Sequence, residues 1–183
     1  MKNAFFTLLS FYLMVSNLGI NSAYAATILK ADLDQAAKES ELIFEGRAVS
    51  KETRPSPISG KPFTYFTFEI IDLIKGSYQQ PTIEIGFMGG TLGNITLKVS
   101  DMKMPEIGER GIYFVEKIGE QQIHPLFGWQ QGHYLVITNQ TTGQDMVIPV
   151  QQEHLKGRSL MLQTGTKLEA FKQNVRNILR EDQ

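Results

Sequence analysis

The chain has 183 residues, a formal net charge of −1 and no cysteine. With 18 basic against 19 acidic residues it carries no electrostatic footprint for nucleic acid or for an anionic membrane surface. Without cysteine, both a disulfide framework and a lipid-modified N-terminal cysteine are excluded, so any fold must be held by its core.

The first 25 residues read as a signal peptide. Lys2 gives a positive start, FFTLLSFYLMV an apolar stretch, and Ala23-Tyr24-Ala25 a small-x-small cleavage site. Cleavage between Ala25 and Ala26 predicts a periplasmic or secreted protein. No later stretch approaches the roughly 20 apolar residues needed to cross a bilayer as a helix. Residues 26–183 then carry 17 basic and 19 acidic groups, net −2, and form one domain on the usual prior of roughly 100–200 residues.

A short helix is predicted over 32–39, with Asp32 as N-cap and Leu33, Ala36 and Ala37 as a small apolar face. ELIFEGRAVS (41–50) predicts a strand, and KETRPSPISGKP (51–62), with three prolines and a glycine, a turn region. FTYFTFEIIDLIKG (63–76) alternates aromatic, β-branched and Thr residues, and so predicts a strand long enough to bend. Strands are also predicted for TIEIGF (82–87), ITLKV (95–99) and GIYFVEK (111–117). HYLVIT (133–138) and DMVIPV (145–150) form a hairpin around NQTTGQ. The last element is an amphipathic helix over 166–181. Thr166 and Glu169 make a capping-box pattern, and Leu168, Phe171, Val175, Ile178 and Leu179 an apolar stripe that should pack on the sheet.

GFMGGTLG (86–93) places four glycines within eight residues, as phosphate-cradling loops do. A nucleotide loop of the P-loop kind needs Lys and Ser/Thr after its last glycine, and the loop must open a helix. Here Gly93 precedes Asn94 and a strand pattern. The glycines are therefore expected to serve a tight, positive-φ connection or a bulge.

Catalytic chemistry has no local signature. His124, His133 and His154 stand 9 and 21 residues apart, without a zinc motif or a thiol, so no metal and no cofactor is expected. Ser50, Ser56, Ser59, Ser100 and Ser159 lie in no G-x-S-x-G elbow. Asp101, Glu106 and Glu109 cluster around a loop, where solvated acids are the default. A hydrolase assembled from distant residues would draw on His133 and the acids near Asp101. HPLFGWQQGHYL (124–135) holds the only Trp. Trp129, Gln130, His133 and Tyr134 are the candidate ligand-binding residues there, and the bland alternative is a Trp anchoring the last hairpin. Two sequons, Asn94-Ile95-Thr96 and Asn139-Gln140-Thr141, would matter only in a eukaryotic secretory pathway.

The order of these pieces carries a resemblance. The succession LIFEGRAVSKE, a loop, FTYFTFEIIDLIKG, TIEIGF, the glycines and LKVSDMKMPEIGERGIYFVEK resembles the netrin-like modules, including the N-terminal domain of the tissue inhibitors of metalloproteinases. It is similar as well to a group of uncharacterised exported bacterial proteins whose core signals are matched by Gly89, Gly90, Gly93, Val99, Ser100, Pro105, Gly108 and Glu109. The resemblance covers about residues 32–138. It implies a mainly β fold with flanking helices, built as a small OB-type or netrin-like β-barrel. The metalloproteinase inhibitors place a disulfide-bonded N-terminal cysteine on their target's zinc. This chain has none, so that mechanism does not carry over. The function expected from the sequence is that of an exported, non-enzymatic binding module for a protein or glycan partner. Its alternatives are the hydrolase, and an inhibitor or partner of a secreted protease acting without zinc chelation.

Overall fold

The alternating residues of 63–76 build the longest ladder of the molecule. In the computed structural model, which describes residues 33–151 and 165–181, strands β1 (Leu42–Pro55) and β2 (Pro62–Lys75) pair antiparallel from Ile43↔Lys75 to Pro55↔Pro62. The predicted signal peptide with its cleavage site, Asp32, His154 and Ser159 lie outside the described residues. The turn region proves shorter than expected: Lys51–Pro55 continue β1, and only 56–61 turn. There the Ser56 hydroxyl accepts the amides of Ile58 (3.1 Å) and Ser59 (2.9 Å) and stands in for the missing ladder.

Helix α1 (Leu33–Glu39) precedes this hairpin. After it come β3 (Thr82–Met88), β4 (Gly90–Leu92), β5 (Ile95–Leu97), β6 (Arg110–Val115), a 3-10 turn (Trp129–Gly132), β7 (His133–Thr138), β8 (Asp145–Pro149), β9 (Thr166–Lys167) and helix α2 (Leu168–Glu181). Seven strands form one antiparallel sheet in the order β3-β2-β1-β6-β7-β8-β9, and β4-β5 forms a separate ribbon. Among the described residues the sheet is open, with β3 and β9 at its edges. β3 pairs with β2 over Phe63–Glu69, whereas β6 pairs with β1 only over Leu42–Arg47, so its two flanks sit at opposite ends of the long hairpin. Three register shifts between Ile43 and Ser50 relieve the ladder where β1 changes neighbours.

Both faces of the sheet are covered, which is why Leu42–Gly46 are buried without alternation. On one face Phe44, Phe68 and Tyr113 gather with ring centroids 4.6 to 5.8 Å apart, together with Phe66, Ile85 and Phe87. On the other, Ile43, Ile112, Phe114 and Val136 meet α1 through Ala36 and Ala37, and α2 through Leu168, Phe171 and Val175. Each large α2 side chain so buried stabilises by about 1.5–3 kcal/mol. The stripe read from the sequence is the docked face, with Ile178 and Leu179 partly buried at its end. The capping box is not formed. Thr166 pairs with Val147 in β9, the helix begins at Leu168, and the Glu169 carboxylate meets Lys172 at 2.9 Å instead. The strand expected over 95–99 ends at Leu97.

A charged network fastens α2 to the sheet. The Glu45 carboxylate, fully buried on β1, receives Lys172 Nζ at 3.0 Å and Arg110 at 2.6 Å. Lys172 also reaches Asp72 at 3.1 Å, Arg176 holds Asp72 at 2.8 Å, and Arg110 holds Asp145 at 2.6 Å. Burial alone would lower the Lys172 pKa. Hydrogen bonds to Glu169, Glu45 and Asp72 override it and raise the pKa. Burial likewise opposes ionisation of Asp72, and its bonds from Lys172 and Arg176 pull it below the usual carboxylate range.

Candidate functional site

The glycine cluster is structural. Gly89, Gly90 and Gly93 take φ values of 114°, 118° and 57°, and together they turn the chain from β3 into the β4-β5 ribbon. The Thr64 hydroxyl donates to the Gly89 carbonyl (2.8 Å) and bonds the Thr53 hydroxyl (3.0 Å), closing the turn against the long hairpin. No helix follows, so the geometry of a phosphate loop is missing.

The candidate residues of 124–135 fall on two faces, because neighbours in β7 point opposite ways. Tyr134 lies beneath α2, its ring 4.8 Å from Phe171 and 5.4 Å from Phe114. His133 faces the other core and is 1% exposed, stacked at 4.9 Å on Tyr113 with Nε2 2.8 Å from Glu109 Oε1. The Tyr113 hydroxyl donates to the same carboxylate oxygen at 3.3 Å; burial first, and then Glu109, push its pKa well up. Trp129, in the left-handed region at φ 62°, stacks on His124 with centroids 5.6 Å apart and planes 13° from parallel. Gln130 donates to the Asp101 carbonyl. Trp129, Gln130 and His133 thus surround one loop and its histidine, and Tyr134 belongs elsewhere.

His124 accepts the Leu126 amide on Nδ1 at 3.3 Å. Burial, and next the neighbouring His133, hold its pKa down to about 4, so it is neutral. Of the three acids named from the sequence, Glu109 is the one that reaches His133; Asp101 and Glu106 are exposed. The His133 imidazole and the Tyr113 phenol lie in the core, and the Glu109 carboxylate that both approach is partly exposed. Among the described residues no group of three His, Asp or Glu side chains could hold a metal ion.

The open site lies at the other end of the sheet. A groove of about 260 Å³ separates edge strand β3 from the 117–125 segment that follows β6. Ile83, Ile85 and Val115 form its floor, and Ile118 and Pro125 its far wall. Tyr65 lies over Gly86, where a Cβ would come within 2.8 Å of the ring. That ring also stacks under Arg54 at 3.7 Å, whose guanidinium grips Glu84 in a two-pronged ion pair. At the mouth Ile58 is 79% exposed, and Ile123 is half exposed beside β3. Gln121 lines the groove; its Oε1 accepts Ser56 Oγ at 2.8 Å, while its buried Nε2 has no partner among the described residues. A wider hollow of about 690 Å³ over 103–110 and β7 mixes Arg47, Lys103 and Arg110 with Glu106 and Glu109, and so favours neither charge.

The groove is not legible in the sequence because its residues come from four separated segments. One signal was present: Ile58 is an isolated large apolar residue inside a Pro/Ser/Gly turn, where no core position calls for it. No family model, no curated protein and no solved structure matches the chain.

Proposed function

We propose that the protein is an exported, non-enzymatic binding module whose ligand is a macromolecule, protein in preference to glycan. One contrast carries this reading. Among the described residues, the one imidazole that meets a carboxylate, His133, is buried beneath Tyr113 with only Glu109 partly exposed beside it, whereas the open surface offers an apolar groove beside a strand edge with the exposed Ile58 at its mouth. Such a surface binds by burial and backbone complementarity rather than by proton transfer. The mixed charges and near-neutral balance argue against nucleic acid as the ligand.

Export through cleavage between Ala25 and Ala26 belongs to the same proposal, as does a sheet of OB-type or netrin-like ancestry. The latter draws support from the long bent hairpin, the antiparallel order and a helix at each end of the described chain. Affinity capture with the purified exported protein, run beside a glycan array, tests the function. Saturable binding of a protein partner supports it. Hydrolysis of a peptide or glycan substrate, lost on substitution of His133 or Glu109, would replace it with the enzyme reading.

A further inference from the structure

Resting on the binding reading, and naming its mode, we infer that the β3 groove takes an extended polypeptide segment of the partner as an added strand. The direction of the backbone groups carries this. The Met88 amide leaves the sheet to reach the Ile123 carbonyl at 3.0 Å, whereas the Gly89 amide turns inward to Pro62 at 2.9 Å. A strand repeats every two residues, so Glu84 and Gly86 share the outward direction of Met88, and their N–H and C=O groups face the groove. Among the described residues no strand pairs with that side of β3.

An unpaired edge of alternating donors and acceptors is matched by another peptide backbone, which repeats them at the same spacing. The groove supplies the rest. An incoming strand alongside Glu84 and Gly86 would direct one side chain at the Ile83, Ile85 and Val115 floor, which calls for an aliphatic residue there. Gly86, with Tyr65 over its missing Cβ, keeps the lip low enough for a backbone to approach. A second copy of this chain fits poorly. The edge is recessed behind the Ile118 and Pro125 wall, and another sheet edge would bring its neighbouring strand into that wall.

The test pans a random-peptide display library against the purified protein and measures the affinity of an enriched peptide by fluorescence anisotropy. Glu84→Pro removes one outward N–H and leaves the inward donors of Ile83 and Ile85 in place, a position where an edge strand accepts proline. Affinity should fall about tenfold or more in Glu84→Pro, and further than in Glu84→Gln, which loses the carboxylate but keeps the backbone N–H. Two measurements on the unaltered protein stand if the proline variant fails to fold. N-methylation of the peptide should be harmful at alternate residues only, and the Glu84 and Gly86 amides should gain protection from hydrogen exchange on binding. A library that enriches nothing, a peptide indifferent to these changes, binding on the glycan array alone, or a dimer lost in Glu84→Pro would each overturn the inference. A natural partner captured equally by wild type and Glu84→Pro would overturn the groove and leave the binding module standing.

Discussion

Gly90 combines a φ of 118° with a close approach: a Cβ there would fall 2.8 Å from the Thr53 methyl and against the Thr64 hydroxyl. Gly93, at φ 57°, has open space around it. Gly90→Ala should therefore destabilise by about 2 kcal/mol or more and Gly93→Ala by roughly 1 kcal/mol, measured by denaturant unfolding, with no nucleotide-dependent shift in either. The histidines make a separate case. The pKa of His124 in the folded chain is about 4, against an ordinary 6.5, so the unfolded state binds the proton more tightly. Its contribution is fully present above pH 6.5 and lost as pH falls toward 4. The amount is on the order of 3 kcal/mol, and His124→Asn, whose carbonyl can still accept the Leu126 amide, should remove that part of the pH dependence in melts from pH 7 to 4.

At the scale of elements, α2 is held by a stripe and by a charge cluster. Lys172→Met would leave Glu45, fully buried, with Arg110 as its one remaining cation among the described residues, and should cost about 3 kcal/mol. Glu169→Gln, at the exposed end of the same cluster, should cost under about 1 kcal/mol. Equilibrium unfolding in urea measures both. The stripe was legible in the sequence because Leu168, Phe171 and Val175 recur at helical spacing; the cluster was not, since Glu45 and Lys172 are brought together across 127 residues. The alternation of 63–76 likewise revealed β2, but nothing local could say that Lys51–Pro55 would find partners and extend β1. Trp129 and His133 were recognisable as unusual residues. That His133 and Tyr134 face opposite cores follows from their adjacency once the strand is granted, and what His133 meets follows only from the fold.

For the whole molecule, the two apolar clusters share a single wall. Leu42 and Phe44 face one, Ile43 the other, and β6 divides in the same way between Tyr113 and Phe114. Loss of either cluster strips one side of the same strands, so the chain should unfold as one unit. Trp129 fluorescence and far-UV circular dichroism should give coincident thermal transitions. A separate early transition in one signal would mean that the faces melt independently. The sheet order, which runs from the long hairpin through β6 to the β7-β8 meander, keeps most strand pairs between near neighbours in sequence.

The burial of Glu45 also sets a timetable for synthesis. A ribosome makes this carboxylate 127 residues before the ammonium that covers it. In the interval the β1-β2 hairpin can zip and its aromatic side can begin to collapse, since that side carries no charge awaiting a partner. The side bearing Glu45 cannot dry out without stranding an anion until Arg110, 65 residues on, and then Lys172 have been made. The order of synthesis should therefore make that side the later of the two to close.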